Sequence, residues 1–234
     1  MTKRFTAFPI VLALMVAPLA AQTTSRNDVD ELPAREDASR EKMLERAEHD
    51  RIDARGNDKV SRVALEQWAG CIARSNAGEA TRVLTMDFKQ PAYGRAMLML
   101  SQESRDCARF RGKLSAAGLL FAGEMAEALL ERPGEAIAAK LARAAGGPAT
   151  PSFSFTDKVA ICTVRSAPDD VARLFASARD SAEETSALSG LTATMGLCAK
   201  AAEARKPLSI NPAGLRAMLA TAAFRSVETA KASA

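Results

Sequence analysis

The chain has 234 residues, of which 47% are apolar, 26% charged and 5% aromatic, with four cysteines and one histidine. The length allows one or two domains, and the apolar fraction is that of a globular protein. A single histidine makes His-based zinc sites and Ser-His-Asp or Cys-His catalysis hard to build. The net charge of +4 at pH 7 is small for this length, so a nucleic-acid partner is not indicated.

The first 21 residues are organised like a secretory signal peptide. Lys3 and Arg4 precede an apolar run over residues 5–19, and small residues follow it. The alternative is an uncleaved membrane anchor, but the run is shorter than the roughly 20 apolar residues of a spanning helix and contains two prolines. We therefore expect a periplasmic or secreted protein whose mature chain begins near Gln22 and has no membrane span after cleavage.

Residues 22–59 form a second zone, which is rich in charge and poor in apolar side chains. It contains eight basic and eleven acidic residues. Such a segment buries little apolar surface, so we expect a mobile or solvated-helical arm. His49 lies in this zone, and a solvated side chain is expected there rather than a metal ligand, because zinc sites need three or four ligands.

The rest of the chain contains an internal repeat. Cys71 and Cys107 are 36 positions apart, as are Cys162 and Cys198, and the two pairs are offset by 91 positions. Seven further residues are identical at this offset, among them Arg74 with Arg165 and Arg82 with Arg173. The register predicts two related modules, residues 60–131 and 152–228, with a connection over 132–151 and a tail over 229–234.

Each module is predicted to contain four helices, because apolar residues recur at helical spacings and no useful length alternates with period two. The fold class is therefore all-α. The second helix of each module is short, about 77–86 and 167–178. The connection contains one more helical stretch, residues 136–145, which breaks at Gly146-Gly147-Pro148.

Three residue patterns predict helix starts. Ser166 before Pro168 indicates a serine-capped start, and Ser181 with Glu184 has the arrangement of a capping box. Asn211-Pro212 is predicted to open the last helix.

The four cysteines are predicted to be structural. An even number of cysteines in an exported chain is typical of disulfides, and four cysteines allow three connectivities. The repeat favours Cys71–Cys107 and Cys162–Cys198, one bond in each module, each worth roughly 3–4 kcal/mol. The alternative, thiol redox catalysis, usually requires a close Cys-x-x-Cys pair.

The repeated arginines Arg74, Arg82, Arg165 and Arg173 are weak candidates for anion binding. The other interpretation is that each satisfies carbonyls and the dipole at a helix end or covers apolar core. Basic clusters over 105–113 and 200–206 allow a weak contact with an anionic surface.

No residue is proposed as catalytic. The acidic pairs Asp169-Asp170 and Glu183-Glu184 lie in first helical turns, where carboxylates are common, and Glu124 and Glu127 share one helix. Paired-carboxylate hydrolysis requires acids that face each other across a cleft. Phosphate loops, nucleophile elbows and metal-ligand clusters are missing from the sequence, so neither a cofactor nor a metal is expected.

The Cys-x-x-Arg start of each module and the repeated cysteine spacing resemble uncharacterised exported bacterial proteins with a duplicated, Cys-bounded helical module. The resemblance covers about residues 60–228 and implies no activity, substrate or cofactor.

Two hypotheses of function follow. The first is a non-enzymatic binding or structural protein of the cell envelope, whose partner is an unknown envelope protein or an anionic surface. The second is an enzyme that acts on an envelope polymer through acidic residues. A deep cleft with a buried acid would favour the enzyme, whereas a broad groove between the modules would favour binding.

Overall fold

The computed structural model describes residues 58–107, 118–203, 208 and 210–233. These residues form nine α-helices and no strand, which confirms the predicted all-α class. In chain order the helices are α1 (Asp58–Ser75), α2 (Ala77–Leu84), α3 (Pro91–Glu103), α4 (Leu119–Leu130), α5 (Ile137–Gly146), α6 (Phe155–Ser166), α7 (Pro168–Ala176), α8 (Ala182–Ala201) and α9 (Pro212–Lys231). A short 3-10 turn, Arg105–Cys107, follows α3.

Two of the three predicted helix starts are confirmed. The Ser181 hydroxyl accepts a hydrogen bond of 3.0 Å from the Glu184 N–H at the start of α8. The Asn211 side-chain oxygen accepts one of 2.7 Å from the Gly214 N–H at the start of α9. In both cases a short polar side chain satisfies a backbone donor that has no partner within its helix.

The predicted cap at Ser166 is wrong. Ser166 is the last residue of α6, and α7 begins at Pro168. The one residue between the helices is Ala167, which occupies the capping position and has no side-chain acceptor. The turn is therefore one residue too short for Ser166 to cap α7.

Both predicted disulfides are present. Cys71 is bonded to Cys107 and Cys162 to Cys198, with Cα–Cα distances of 5.6 and 5.7 Å. Helix α3 ends at Glu103, and Cys107 belongs to the 3-10 turn that follows it. Cys198, by contrast, lies inside α8. The two disulfides are consistent with an oxidising, exported environment.

Helices α4 and α9 form the centre of the core. Helix α9 packs on α4, α5 and α6, and α1 packs on α4. Most of α4 is buried around its circumference, as expected for a helix that is apolar on all sides. The close approach of α4 and α9 requires Gly123, because a Cβ there would lie 2.5 Å from the Ala217 Cα.

Helices from the two predicted modules contact each other, most extensively where α4 packs on α9. All described residues belong to one compact unit, Asp50–Ala234. The helical stretch predicted in the connection is α5. Helix α9 continues to Lys231, three residues into the expected tail. The duplication into four-helix modules is not shown by this arrangement and stays a prediction.

Several sequence predictions lie outside the described residues. These are the signal peptide over 1–21, nearly all of the arm over 22–59, and most of the basic clusters over 105–113 and 200–206. The described chain begins with α1 at Asp58, so the last two positions of the expected arm are helical.

Candidate functional site

The repeated arginines have different surroundings in the two halves of the chain. Arg165 donates to three backbone carbonyls at the end of α5, those of Ala144 at 2.7 Å, Gly147 at 2.8 Å and Pro148 at 2.9 Å. Arg74 is exposed, and its guanidinium lies over Gly70. The contacts of Arg165 agree with the interpretation that these arginines satisfy carbonyls at a helix end.

Arg82 and Arg173 have matching local partners. Arg82 forms an ion pair with Glu79, and Arg173 forms one with Asp170, each three residues earlier on the same exposed helix surface. Arg173 also borders an open groove between α7 and α8, together with Asp170 and Glu183. Anion binding by the four arginines stays a prediction, and Arg82, Arg165 and Arg173 are already bonded to other groups of the chain.

Carboxylates from distant parts of the chain converge on the buried Arg216 of α9. Its guanidinium donates to both Glu127 oxygens at 2.5 and 3.0 Å and to Glu184 at 3.0 Å. The carbonyls of Phe175 and Ser177 accept further hydrogen bonds. All three charged side chains are nearly inaccessible to solvent, so the charges are compensated by one another rather than by water.

Two further arginines extend this cluster. Arg179 pairs with Glu66 at 2.8 Å, Glu124 at 2.5 Å and Glu127 at 3.3 Å. Arg62 of α1 donates to both oxygens of Glu184 at 2.9 and 3.0 Å. The cluster therefore joins α1, α4, α8 and α9 through charge-assisted hydrogen bonds.

The pKa values of two glutamates in this cluster shift in opposite directions. Burial raises the pKa of Glu124, and the hydrogen bond from Arg179 only partly opposes this effect. Burial also acts to raise the pKa of Glu184, but hydrogen bonds from Arg62, the Asp180 N–H and Arg216 outweigh it and lower the pKa to about 2. Glu184 therefore stays ionised in the folded protein at neutral pH.

A separate cavity of about 410 Å³ lies beside α4 and α9 and is lined mainly by apolar side chains. Its apolar residues come from α2 and the turn after it, from α4, from α9 and from the residues before α9: Leu84, Phe88, Leu119, Ala122, Ile210 and Met218. Phe88 and Leu119 are both about 40% exposed, so the cavity has apolar side chains at the protein surface. The volume lies within the range of roughly 300–1,000 Å³ of small-molecule sites.

One ion pair lies in the cavity wall. Arg225 donates to Asp157 at 2.7 Å and to the Pro151 carbonyl, and its guanidinium lies 4.4 Å from the centre of the Phe153 ring. The second Asp157 oxygen accepts a hydrogen bond of 2.8 Å from the Phe153 N–H. Asp157 and Arg225 are both about 5% exposed, so the pair is held by the protein and not by solvent.

The uncharged polar residues of the cavity are Tyr93, Thr156 and Thr221. Burial raises the pKa of Tyr93 to about 12, and the Arg225 charge opposes the shift only in part. The phenol is therefore neutral at physiological pH. Thr221 donates to the Met218 carbonyl at 3.0 Å, which leaves its oxygen able to accept a further hydrogen bond.

Neither the cavity nor the Arg216 cluster was predicted from the sequence. Two charged residues among the apolar residues of α9 could have signalled these sites: Arg216 for the cluster and Arg225 for the ion pair of the cavity wall. The cavity is lined by residues from four segments, 84–93, 118–122, 156–157 and 210–225, which only the tertiary fold brings together.

The described residues contain no group of three or more His, Cys, Asp or Glu arranged to hold a metal ion. In the same ranges, none of the helices has both the length and the apolar character to cross a membrane.

In comparisons with known proteins, no family model, no curated protein and no solved structure matches the chain. A function must therefore be argued from the geometry alone.

Proposed function

We propose that the protein is an exported, non-enzymatic binding protein of the cell envelope that holds an apolar small molecule in the cavity beside α4 and α9. The observation that carries the proposal is the combination of a 410 Å³ apolar cavity with the two partly exposed side chains Phe88 and Leu119 at its surface. Concave apolar sites with a few polar groups are the usual form of a small-molecule site.

The chemistry of the buried acids favours binding over catalysis. An acid-residue enzyme needs a carboxylate that can exchange a proton with a substrate across a cleft. Asp157 is the acidic residue in the cavity wall, and its two oxygens are bonded to Arg225 and to the Phe153 N–H. Glu124, Glu127 and Glu184 likewise face arginines. These contacts support a structural role for the carboxylates.

Export is part of the proposal. The positive residues and the short apolar run at the N-terminus suggest a cleaved signal peptide. The two disulfides are consistent with the oxidising conditions of the periplasm or the extracellular space. N-terminal sequencing of the exported fraction is expected to begin near Gln22, and an intact Met1 in that fraction would contradict export.

Binding is tested with Nile red, an uncharged apolar dye whose fluorescence rises in apolar surroundings. We expect saturable binding to the wild-type protein. Leu119→Arg places a charge at the partly exposed edge of the cavity and should weaken binding about tenfold or more, since an apolar dye that enters the cavity would displace water from that charge.

Leu120→Arg is the matched control. Leu119 and Leu120 are adjacent and 43% and 42% exposed, but Leu119 alone of the two lines the cavity. The control should bind the dye like the wild type. Equal effects of the two substitutions, or no saturable binding, would contradict the cavity as the site and leave an envelope protein or an anionic surface as the expected partner.

A further inference from the structure

We infer that the ligand of this cavity is an uncharged amphiphile, with an apolar chain and a hydroxyl or ester as its polar end. The inference rests on the proposed function, because it takes the cavity as the binding site. It is carried by the way Arg225, the one cation among the described residues of the cavity wall, is neutralised before any ligand enters.

Arg225 would be the natural partner of an anionic ligand, but its charge is already compensated. Asp157 accepts one of its hydrogen bonds, the Pro151 carbonyl accepts another, and the Phe153 ring lies against the guanidinium. A carboxylate ligand would have to displace Asp157 or lie beside it, and two like charges in a buried site repel each other strongly. A cationic ligand would be repelled by Arg225 in the same way.

Uncharged polar groups remain to orient a ligand. No described residue forms a hydrogen bond with the Tyr93 hydroxyl, which belongs to a side chain of the cavity wall. The Thr221 oxygen can accept a hydrogen bond although its proton is given to Met218. A hydroxyl or an ester end group can use a phenol donor and a threonine acceptor without bringing a charge into the site.

The experiment measures displacement of Nile red from the full mature protein by amphiphiles with one chain and different ends: decanol, monodecanoylglycerol, decanoate and decylammonium. Decanol or monodecanoylglycerol is expected to displace the dye at a concentration at least tenfold lower than decanoate or decylammonium. Asp157→Asn should improve displacement by decanoate about tenfold, because it leaves the Arg225 charge available. Thermal unfolding verifies that this variant is folded.

Asp169→Asn is the matched control, since it removes the same charge from an exposed position on α7 and should leave all four affinities unchanged. Decanoate binding as tightly as decanol would overturn the inference and leave apolar binding intact. Unchanged selectivity in a folded Asp157→Asn variant would overturn it too. If no compound displaces the dye and the dye itself does not bind, the proposed function fails together with the inference.

Discussion

Arg216 has a position that is rare for a charged residue, since its side chain is only about 2% exposed. It remains ionised because Glu127 and Glu184 supply two carboxylates within 3.0 Å. Burying such a group gives little net stability, whereas removing one partner leaves an unpaired charge in a medium that solvates it poorly. We therefore expect the cluster to act mainly by penalising other arrangements of α4, α8 and α9.

The first prediction concerns the pH dependence that Glu184 gives to stability. Because its pKa in the folded protein is about 2, against an ordinary value of 4.5, the unfolded chain binds more protons than the folded one between these values. The stabilisation is complete above pH 4.5 and is lost as the pH falls towards 2. Glu184→Gln should flatten this slope in urea unfolding, and should lower the free energy of unfolding at pH 7 by about 3–5 kcal/mol.

Glu103→Gln, exposed at the end of α3, is the control for the loss of one negative charge. It should keep the wild-type slope and change stability by less than about 0.5 kcal/mol. A wild-type slope in Glu184→Gln would mean that Arg216 and Arg62 do not stabilise the ionised form.

The sequence predicts the role of a single residue where that role depends only on neighbouring positions in the chain. Ser181 and Asn211 were predictable as caps, since a cap depends only on the next three residues. The position of Ser166 could not be predicted in this way, because it depends on where the turn between α6 and α7 lies to within one residue. The partners of Arg216 were out of reach, since they lie 32 and 89 positions away in the chain.

At the scale of the helices, α4 and α9 approach each other closely at Gly123. A Cβ at this position would lie 2.5 Å from the Ala217 Cα, so Gly123→Ala must push the two helices apart. We expect a loss of about 1–3 kcal/mol, the usual cost of overpacking, measured by urea unfolding. This loss would occur although alanine favours helix more than glycine does.

Gly190→Ala is the matched control, because Gly190 lies within α8 and a Cβ there would meet nothing within 4 Å. This substitution should stabilise the protein by up to about 1 kcal/mol through helix propensity alone. A stabilising Gly123→Ala would contradict the close packing of α4 on α9.

The disulfides constrain helices in different local settings. Cys71–Cys107 ties α1 to a 3-10 turn, whereas Cys162–Cys198 joins two α-helices. Each bond separates its cysteines by 36 positions, so loop-closure entropy predicts the same loss, roughly 3–4 kcal/mol, for Cys71→Ala/Cys107→Ala and for Cys162→Ala/Cys198→Ala. Before these variants are compared, peptide mapping of the wild-type protein without reductant should find only the Cys71–Cys107 and Cys162–Cys198 peptides. A dominant Cys71–Cys162 peptide would contradict the pairing.

At the scale of the whole described unit, the packing of α4 on α9 and the Arg216 cluster couple the two halves of the chain. We therefore expect one cooperative transition on unfolding with the disulfides intact. Trp68, the single tryptophan, lies in α1 with its ring 4.9 Å from that of Phe121, so its fluorescence reports on the first half. The helical circular dichroism reports on all helices.

The tryptophan fluorescence and the circular dichroism should change at the same urea concentration. A fluorescence midpoint well below the circular dichroism midpoint would show that the first half unfolds by itself. The small apolar core of each half predicts that the two halves pack on each other. Sequence periodicity could not predict which residues make the contact, because the proximity of Gly123 and Ala217 is tertiary.

Lys140 gives the turn between α4 and α5 a property that chemical labelling can detect. Its ammonium group is buried and donates to the carbonyls of Leu130 at 2.6 Å and Arg132 at 3.0 Å, while burial lowers its pKa. An acylating reagent needs a free, accessible amine, so it can reach this one only when the turn opens. Lys140 should thus be modified more slowly than the exposed Lys89 and Lys158, and its acylation rate, followed by mass spectrometry, measures the opening of this turn in a folded population.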